Sequence, residues 1–225
     1  MLFRSFNFLT VFMKNIKGIV FDMDGVLVDS EPIHIDAWND VVAAFGLHFD
    51  HEWFHQWIGV SDKNFALKMV ENNHLPIAAD KLLQDKRRIF EAKIAQHVPA
   101  HKGVKVGLPL LKNFGLAVAT SSNKSGALMS LKGAELYDFF QYVITADDVQ
   151  NHKPAPDCYQ KAAASLGFDP SECIGIEDSV SGIRAAKTAG MFVIGIATSL
   201  PASYLTDADL VLENTEGAIQ WILDI

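Results

Sequence analysis

Two different hydrophobic patterns divide the chain. Short apolar runs, the first at 16–21, indicate buried strands of a parallel sheet. After Gly103 such runs alternate with segments of helical periodicity. Predicted strands lie at 116–120, 142–145, 173–176 and 192–196 and predicted helices at 124–133, 157–166 and 179–189, before a last strand and helix. Strict alternation predicts an α/β fold, in which helices cover both faces of a parallel sheet and the crossovers are right-handed.

The segment between the first two strands has a different hydrophobic pattern. From 31 to 98 the periodicity is helical, and no strand is predicted. Helices are expected at 31–45, with Pro32 in the first turn, and at 80–96, and Asp50 and Ser61 would cap two helices between them. Since the segment leaves after the first strand and returns before the second, we expect it to form a helical cap over the carboxyl edge of the sheet.

This insertion sets the predicted domain boundaries. The cap comprises 30–99, and the core comprises 16–29 and 100–225, with a helix from Gly103 to Asn113 at the return. Residues 1–15 are predicted to be an N-terminal extension. Their apolar run is interrupted by polar residues, lacks a small-residue cleavage site and is too short to span a bilayer.

Composition and charge exclude several classes of partner. Of the 225 residues 49% are hydrophobic and 20% are charged, which is typical of a folded globular protein. The formal net charge of -8 argues against nucleic acid or an anionic membrane as the main partner. The two cysteines, Cys158 and Cys173, are too few for a disulfide scaffold, and we expect them to be buried in a cytoplasmic protein.

Two carboxylates follow the first predicted strand. Asp22 and Asp24 share one face of the extended chain, and Gly25 breaks the strand after them. The carboxyl end of a strand is where an open α/β sheet binds its ligands. Two carboxylates on one face repel each other unless a cation or a shared proton lies between them. The pair therefore indicates a functional site, and the alternative is a turn with two solvated aspartates.

Later strand ends also carry polar groups. Thr120 and Ser121 follow the second strand and suit an anion, Lys153 lies in the proline-rich loop after the third, and Glu177 and Asp178 end the fourth. Each alone has an ordinary explanation, either helix capping or solvated surface. Four consecutive strand ends nevertheless converge on one edge of the sheet, so we interpret them as one site.

These residue types match the requirements of phosphoryl transfer. The reaction needs a nucleophile, an acid/base, a hard cation with oxygen ligands and positive charge at the phosphate. A site with only oxygen ligands favours Mg²⁺ over Zn²⁺. The sequence therefore predicts a magnesium-dependent enzyme that acts on a small phosphorylated metabolite.

From residue 16 onward the chain resembles the haloacid dehalogenase superfamily of phosphatases and phosphomutases. The resemblance rests on four segments in a fixed order, at 21–30, 118–121, 153–154 and 175–178. It implies a Rossmann-like core with a helical cap. It also argues against the metal-free dehalogenase branch, which lacks the second aspartate of the first segment, here Asp24. The family includes many monomers, and the sequence leaves the oligomeric state open.

The resemblance also implies roles in catalysis and in phosphate binding. Asp22 would be the nucleophile that becomes an aspartyl-phosphate, and Asp24 would be the general acid/base. Thr120 and Lys153 would hold the phosphoryl oxygens, and Ser121 is a further phosphate-binding candidate.

A metal site is implied as well. Asp22, Asp178 and the backbone carbonyl of Asp24 would hold Mg²⁺, and Glu177 would support the metal.

Within this family the sequence leaves open whether the chain is a phosphatase or a beta-phosphoglucomutase. Ser30, His34 and Trp38 occupy positions where the mutase has a hinge hydroxyl, a gating histidine and a tryptophan, but sugar phosphatases have similar residues. Where the mutase has an arginine for the distal phosphate, this chain has Asp62, whose carboxylate would repel a second phosphate. We therefore expect a hydrolase.

Other cap residues are weaker candidates. With Ser30 and His34, Lys63 is expected to contact the substrate. The basic run 86–88 is a further candidate, although such a run is usually a solvated face.

Two remote alternatives remain. His51 and His55 match the HExxH pattern of zinc hydrolases, but the aromatic residues around them suggest that the segment packs an apolar face. A non-catalytic phospho-binding module is the other, although none of the expected catalytic positions is missing.

Overall fold

The structure, a computed structural model, describes residues 15–55, 57 and 62–224, except for the side chains of His51 and His55. The predicted N-terminal extension and the predicted cap residue Ser61 lie outside the described residues. The chain divides into two compact units, one formed by 30–98 and the other by the described residues on either side of that segment.

The first unit contains a six-stranded parallel sheet with the order β3-β2-β1-β4-β5-β6. This is the strand order of a Rossmann-like fold, so the predicted α/β architecture is confirmed. The strands are β1 (Gly18–Phe21), β2 (Gly115–Ala119), β3 (Tyr142–Ile144), β4 (Cys173–Glu177), β5 (Phe192–Ile196) and β6 (Leu210–Leu212).

The helices of this unit lie in the crossovers between strands, except for the last, which follows β6. They are α5 (Val104–Gly107), α6 (Lys124–Gly133), α7 (Asp157–Leu166), α8 (Val180–Ala189) and α9 (Thr215–Leu223). The helix expected to extend from Gly103 to Asn113 is shorter than predicted, because a 3-10 turn at Leu108–Leu111 follows α5. Pro109 lies in the first turn of that segment and lacks the N–H that an α-helix interior requires.

Strand β1 occupies a central position in the sheet. Phe21, its last residue, is in register with Val118 of β2 on one side and with Ile176 of β4 on the other. The residues that follow these three strands therefore come together at one edge. All four residues of β1 are buried, which fits a strand covered on both faces.

The second unit is helical. Its helices are α1 (Glu31–Ala43), α2 (His51–His55), α3 (Asp62–Asn73) and α4 (Ala79–Ile94), and its described residues include no strand. Asp50 caps α2 as predicted, since its Oδ1 accepts a hydrogen bond from the Trp53 N–H over 2.8 Å. The core of the unit is built from Trp38, Phe65, Met69, Leu82 and their apolar neighbours.

Within the described part of the chain, no helix is both long and apolar enough to cross a membrane. Cys158 and Cys173 are unpaired and buried, which confirms their predicted burial.

Candidate active site

Asp22 lies directly after β1, and the sheet fixes its backbone. Its N–H donates to the carbonyl of Ile176 in β4 over 2.9 Å, which continues the β1–β4 pairing by one residue. The side chain is buried, and its Oδ1 accepts a hydrogen bond from Lys153 Nζ over 2.6 Å. The sequence thus positions a carboxylate at the central strand end and gives it a cationic partner.

Lys153 connects three strand ends. Besides Asp22, its ammonium group donates to Glu177 Oε1 over 2.6 Å and to the carbonyl of Ala119 over 2.9 Å, and it lies 5.0 Å from the centre of the Tyr159 ring. Burial alone would lower the pKa of this lysine, but the carboxylates of Asp22 and Glu177 raise its pKa above the ordinary value. Lys153 is therefore a permanent positive charge between two buried carboxylates.

Glu177, the last residue of β4, is fully buried and has donors on both oxygens. Lys153 and the Tyr159 hydroxyl, the latter over 2.9 Å, donate to Oε1. Oε2 accepts from the N–H groups of Asp178 and Ser179 and from the Ser179 hydroxyl, over 2.9 to 3.1 Å. These bonds leave Glu177 better suited to organise its neighbours than to be a direct metal ligand.

Three carboxylates form a group that suits a metal ion. Ligand oxygens of Asp22, Glu177 and Asp178 all lie within 4.8 Å of one another. Burial and the neighbouring carboxylates raise the pKa of Asp178 to about 7. Burial also raises the pKa of Asp22 well above its ordinary value, despite the opposing effect of Lys153. A cation would relieve this repulsion, and an all-oxygen donor set fits Mg²⁺.

Asp24 occupies the next site position along the chain. Its side chain is half-buried, and Oδ2 accepts a hydrogen bond from the Ser122 hydroxyl over 3.1 Å. The loops after β1 and β2 are therefore linked at this carboxylate. An acid/base role for Asp24 stays a prediction, as does metal binding by its carbonyl.

The predicted phosphate-binding residues after β2 differ in exposure. Thr120 is buried, and its Oγ1 accepts a hydrogen bond from the Ser122 N–H over 3.0 Å, whereas Ser121 is exposed. Asn123 caps α6 by accepting from the Gly126 N–H over 2.8 Å. Capping therefore accounts for Asn123, and phosphate contacts from Thr120 and Ser121 stay predictions.

Four residues of this region are not among the site residues predicted from the sequence. Ser122 contacts Asp24, Tyr159 contacts Glu177, and Thr198 and Ser199 in the loop after β5 contact Gly25 and Asp178. Thr198 and Ser199 follow a buried strand, as Thr120 and Ser121 do, so the same signal could have found them. Tyr159 gave no such signal, because an aromatic residue in a helix usually indicates core packing.

The predicted substrate contacts Ser30, His34 and Lys63 belong to the helical unit. Ser30 is buried directly before α1, and His34 is half-buried on α1 with its ring stacked on Phe90 at 4.0 Å. Lys63 is exposed on α3. Whether any of them contacts a substrate stays a prediction.

Lys86 departs from the expectation that the basic run 86–88 is solvated. Arg87 and Arg88 are exposed, but Lys86 has a relative exposure of 1%. Its Nζ lies 2.6 Å from His34 Nδ1 and 2.7 Å from Asp62 Oδ2. We expected the carboxylate of Asp62 to repel a second phosphate. Because Asp62 is paired with Lys86, its negative charge is largely balanced and this expectation is weakened.

The zinc alternative concerns α2. This segment is helical as predicted, and Trp53 and Phe54 contact Phe49 and Phe65, which agrees with apolar packing. The side chains of His51 and His55 lie outside the described residues. Among the described residues, the group of carboxylates, histidines or cysteines that could hold a metal is the one formed by Asp22, Glu177 and Asp178.

Comparison with known proteins identifies the family. The model of the haloacid dehalogenase-like hydrolases matches residues 19–196. Fructose-1-phosphate phosphatase YqaB of Escherichia coli K12 is 31% identical over 80% of this chain and 95% of its own length. Beta-phosphoglucomutase of Bacillus subtilis is 28% identical over 88% of this chain and 90% of its own length.

A solved structure gives the same result. The crystal structure of CbbY from Rhodobacter sphaeroides, in complex with phosphate, is 25% identical, covers 93% of this chain and 100% of its own, and has a TM-score of 0.76. With a matching fold, four ordered sequence segments and a family model that spans most of the sequence, this chain belongs to the haloacid dehalogenase-like hydrolase family.

Proposed function

We propose that the protein is a magnesium-dependent phosphatase that hydrolyses a small phosphomonoester through a phosphorylated Asp22. A sugar phosphate is the substrate class that the fructose-1-phosphate phosphatase relative supports. The observation that carries the proposal is the buried Asp22 with Lys153 Nζ 2.6 Å from its Oδ1, next to Asp178 and Glu177.

Electrostatics explains why a carboxylate can attack a phosphate here. Two anions repel each other, and the ammonium group of Lys153 offsets this repulsion in a buried site where charges interact strongly. Glu177 keeps Lys153 in place through a second 2.6 Å contact. Mg²⁺ held by Asp22 and Asp178 would supply further positive charge for the phosphoryl oxygens.

Asp22 and Asp24 divide the chemical work. A carboxylate oxygen of Asp22 bonds to phosphorus while the bond to the ester oxygen breaks, and Asp24 gives its proton to the departing alkoxide. A water molecule then loses a proton to Asp24 and attacks phosphorus, which releases inorganic phosphate and restores the Asp22 carboxylate. The hydroxyl of Ser122 orients the Asp24 carboxylate for both transfers.

A phosphomutase is the second candidate, and Lys86 is the observation that favours it. A mutase needs a cation for the phosphate that is not reacting, and Lys86 is a buried cation of the helical unit. Its 2.7 Å pair with Asp62 neutralises that charge, however. The preference for a hydrolase therefore rests on the lack of an arginine at position 62 rather than on repulsion by Asp62.

Two assays test the proposal. A phosphate-release screen over sugar phosphates, phosphoglycolate and nucleotides, with Mg²⁺ and with excess EDTA, should show hydrolysis that requires the metal. In the second assay the enzyme receives beta-glucose 1-phosphate with a catalytic amount of glucose 1,6-bisphosphate. We expect inorganic phosphate and negligible glucose 6-phosphate, and rapid glucose 6-phosphate formation with little phosphate release would instead establish the mutase.

We also propose a cytoplasmic location, which two buried, unpaired cysteines support because such thiols persist in a reducing compartment.

A further inference from the structure

The loop after β5 reaches the loop after β1, although these two strands are not neighbours. Strand β4 lies between them in the sheet. Thr198 bridges the gap, since its Oγ1 donates a hydrogen bond to the Gly25 carbonyl over 2.6 Å. This hydrogen bond therefore holds the loop after β5 against the segment that carries Asp22 and Asp24.

The next residue, Ser199, contacts the carboxylate of Asp178. Its hydroxyl donates a hydrogen bond to Asp178 Oδ2. The same oxygen packs against Gly25, because a Cβ built on that glycine would overlap Asp178 Oδ2 and lie 2.7 Å from Ser199 Oγ. Asp178 Oδ2 thus lies between the backbone of Gly25 and the hydroxyl of Ser199.

We propose that Ser199 is a positioning residue that orients Asp178 for Mg²⁺. This inference rests on the proposed function, which makes Asp178 a metal ligand. None of the four sequence segments that carry the family resemblance includes Ser199 or the loop after β5.

The physical reason is the rotational freedom of a carboxylate. Without a partner, the Asp178 carboxylate group can turn about its terminal bond and exchange its two oxygens. The Ser199 hydroxyl and the contact with Gly25 hold Oδ2 in place and so fix the orientation of the whole carboxylate group. Hydrogen bonds to the ligands of a metal site commonly change metal affinity by roughly 10- to 100-fold.

The test measures Mg²⁺ binding directly. Isothermal titration calorimetry of the full chain with MgCl₂ would compare the wild type with Ser199→Ala, with Ser199→Thr, which keeps the hydroxyl, and with Ser203→Ala. Ser203 is an exposed serine four residues further along the same loop and is the matched control. We expect the Kd for Mg²⁺ to rise roughly 10- to 100-fold in Ser199→Ala, to change little in Ser203→Ala and to return towards the wild-type value in Ser199→Thr.

A second measurement separates positioning from structural damage. Thermal unfolding in EDTA should give Ser199→Ala a melting temperature close to that of the wild type, so that the loss is confined to metal binding. Should Ser199→Ala fail to fold, Thr198→Val provides the test, because it removes the hydrogen bond to Gly25 that holds this loop and so frees Ser199 to move away from Asp178. Thr198→Val should then also weaken Mg²⁺ binding.

The outcomes distinguish this inference from the proposed function. If the wild type binds no Mg²⁺, the cofactor assignment fails and takes the inference with it. If the wild type binds Mg²⁺ and Ser199→Ala binds it equally well, only the role of Ser199 is overturned. The same holds for Thr198→Val, if that variant has to replace Ser199→Ala. Equal weakening in Ser199→Ala and Ser203→Ala would also overturn it, since the effect would then belong to the loop in general.

Discussion

At the scale of single residues, hydrogen bonds determine what each site carboxylate can do. Asp24 accepts from the Ser122 hydroxyl, whereas Glu177 has donors on both oxygens and Asp22 shares Lys153 with it. Three neighbouring carboxylates thus have different environments. We expect their substitutions to have different consequences.

Asp24→Asn should fold and turn over slowly. The amide oxygen can still accept from Ser122, but the side chain can no longer exchange the proton that the leaving group and the water require, so kcat should fall roughly 100- to 10,000-fold. Steady-state kinetics on a sugar phosphate, with a thermal melt of the same sample, would measure this. Asp36→Asn, on the exposed face of α1, is the matched control. Wild-type turnover of a poor leaving group by Asp24→Asn would remove the acid/base role.

The raised pKa of Asp178 predicts how pH affects the metal-free protein. Its pKa is about 7 in the folded state against 3.8 ordinarily, so the folded state binds a proton between these values that the unfolded state has lost. The free energy of unfolding should therefore decrease as pH rises through this window. Thermal melts in EDTA from pH 4 to pH 8 should show this decline in the wild type and a flatter profile in Asp178→Asn.

Bound Mg²⁺ should stabilise the folded protein more strongly as pH rises. The cation binds the deprotonated carboxylates, so its stabilising effect should be larger at about pH 8 than at about pH 5, where protons compete with it. The same melting series with saturating MgCl₂ measures the difference. A stabilisation by Mg²⁺ that does not change with pH would contradict the role of Asp178 and Asp22 as ligands.

At the scale of elements, an ion pair between a buried lysine and a partly exposed aspartate joins two helices of the helical unit. Lys86 of α4 has almost no exposure, and Asp62 of α3 holds it at 2.7 Å while the rings of Trp38 and Phe90 lie 5.3 and 4.9 Å from its Nζ. A buried ammonium group that loses its carboxylate retains the desolvation penalty without the attraction.

Asp62→Asn should therefore lower the free energy of unfolding by roughly 1 to 3 kcal/mol. The control is Asp85→Asn, because Lys81 and Asp85 of α4 also form a 2.7 Å pair, but one in which the lysine is 56% exposed. That substitution should change stability by less than about 0.5 kcal/mol. Urea denaturation at pH 7 measures both, and equal effects would mean that Lys86 does not depend on Asp62.

The pH dependence of this pair has the opposite sign to that of Asp178. Burial would raise the pKa of Asp62, but Lys86 lowers it below the ordinary value of 3.8. The stabilisation is therefore present above about pH 4 and is lost as pH falls below it. Urea denaturation at several pH values between 5 and 3 measures the difference in the free energy of unfolding between the wild type and Asp62→Asn. This difference should become smaller as pH falls, and a difference that stays constant to pH 3 would contradict the pairing.

The elements also show how far the sequence could predict the site. The strand ends were predictable because the apolar runs stop at Asp22, Thr120 and Glu177, and the parallel register brings neighbouring strand ends together. The burial of Lys86 could not be predicted, because a run of basic residues does not indicate which of its side chains is buried. Ser199 follows β5, the neighbour of β4 in the sheet, so its approach to Asp178 depends on a strand order that the alternation of strands and helices does not give by itself.

At the scale of the whole molecule, the order of the strands explains why one active site can be assembled from distant segments. The central position of β1, with β2 and β4 on either side, brings together residues that are more than 150 positions apart in the chain, such as Asp22 and Asp178. Alternating strands and helices predicted a parallel sheet with right-handed crossovers, but not the order of its strands. The substrate is not determined by topology, because any phosphomonoester presents the same reacting group to this edge.

The central claim is that Asp22 is the nucleophile, and the Asp22→Asn variant tests it most directly. An amide is a poor nucleophile, so Mg²⁺-dependent phosphate release from the best substrate of the screen should fall by at least about 1,000-fold, while the exposed control Asp36→Asn keeps the wild-type rate. A thermal melt should show that both variants are folded. Phosphate release by folded Asp22→Asn at the wild-type rate would contradict the account.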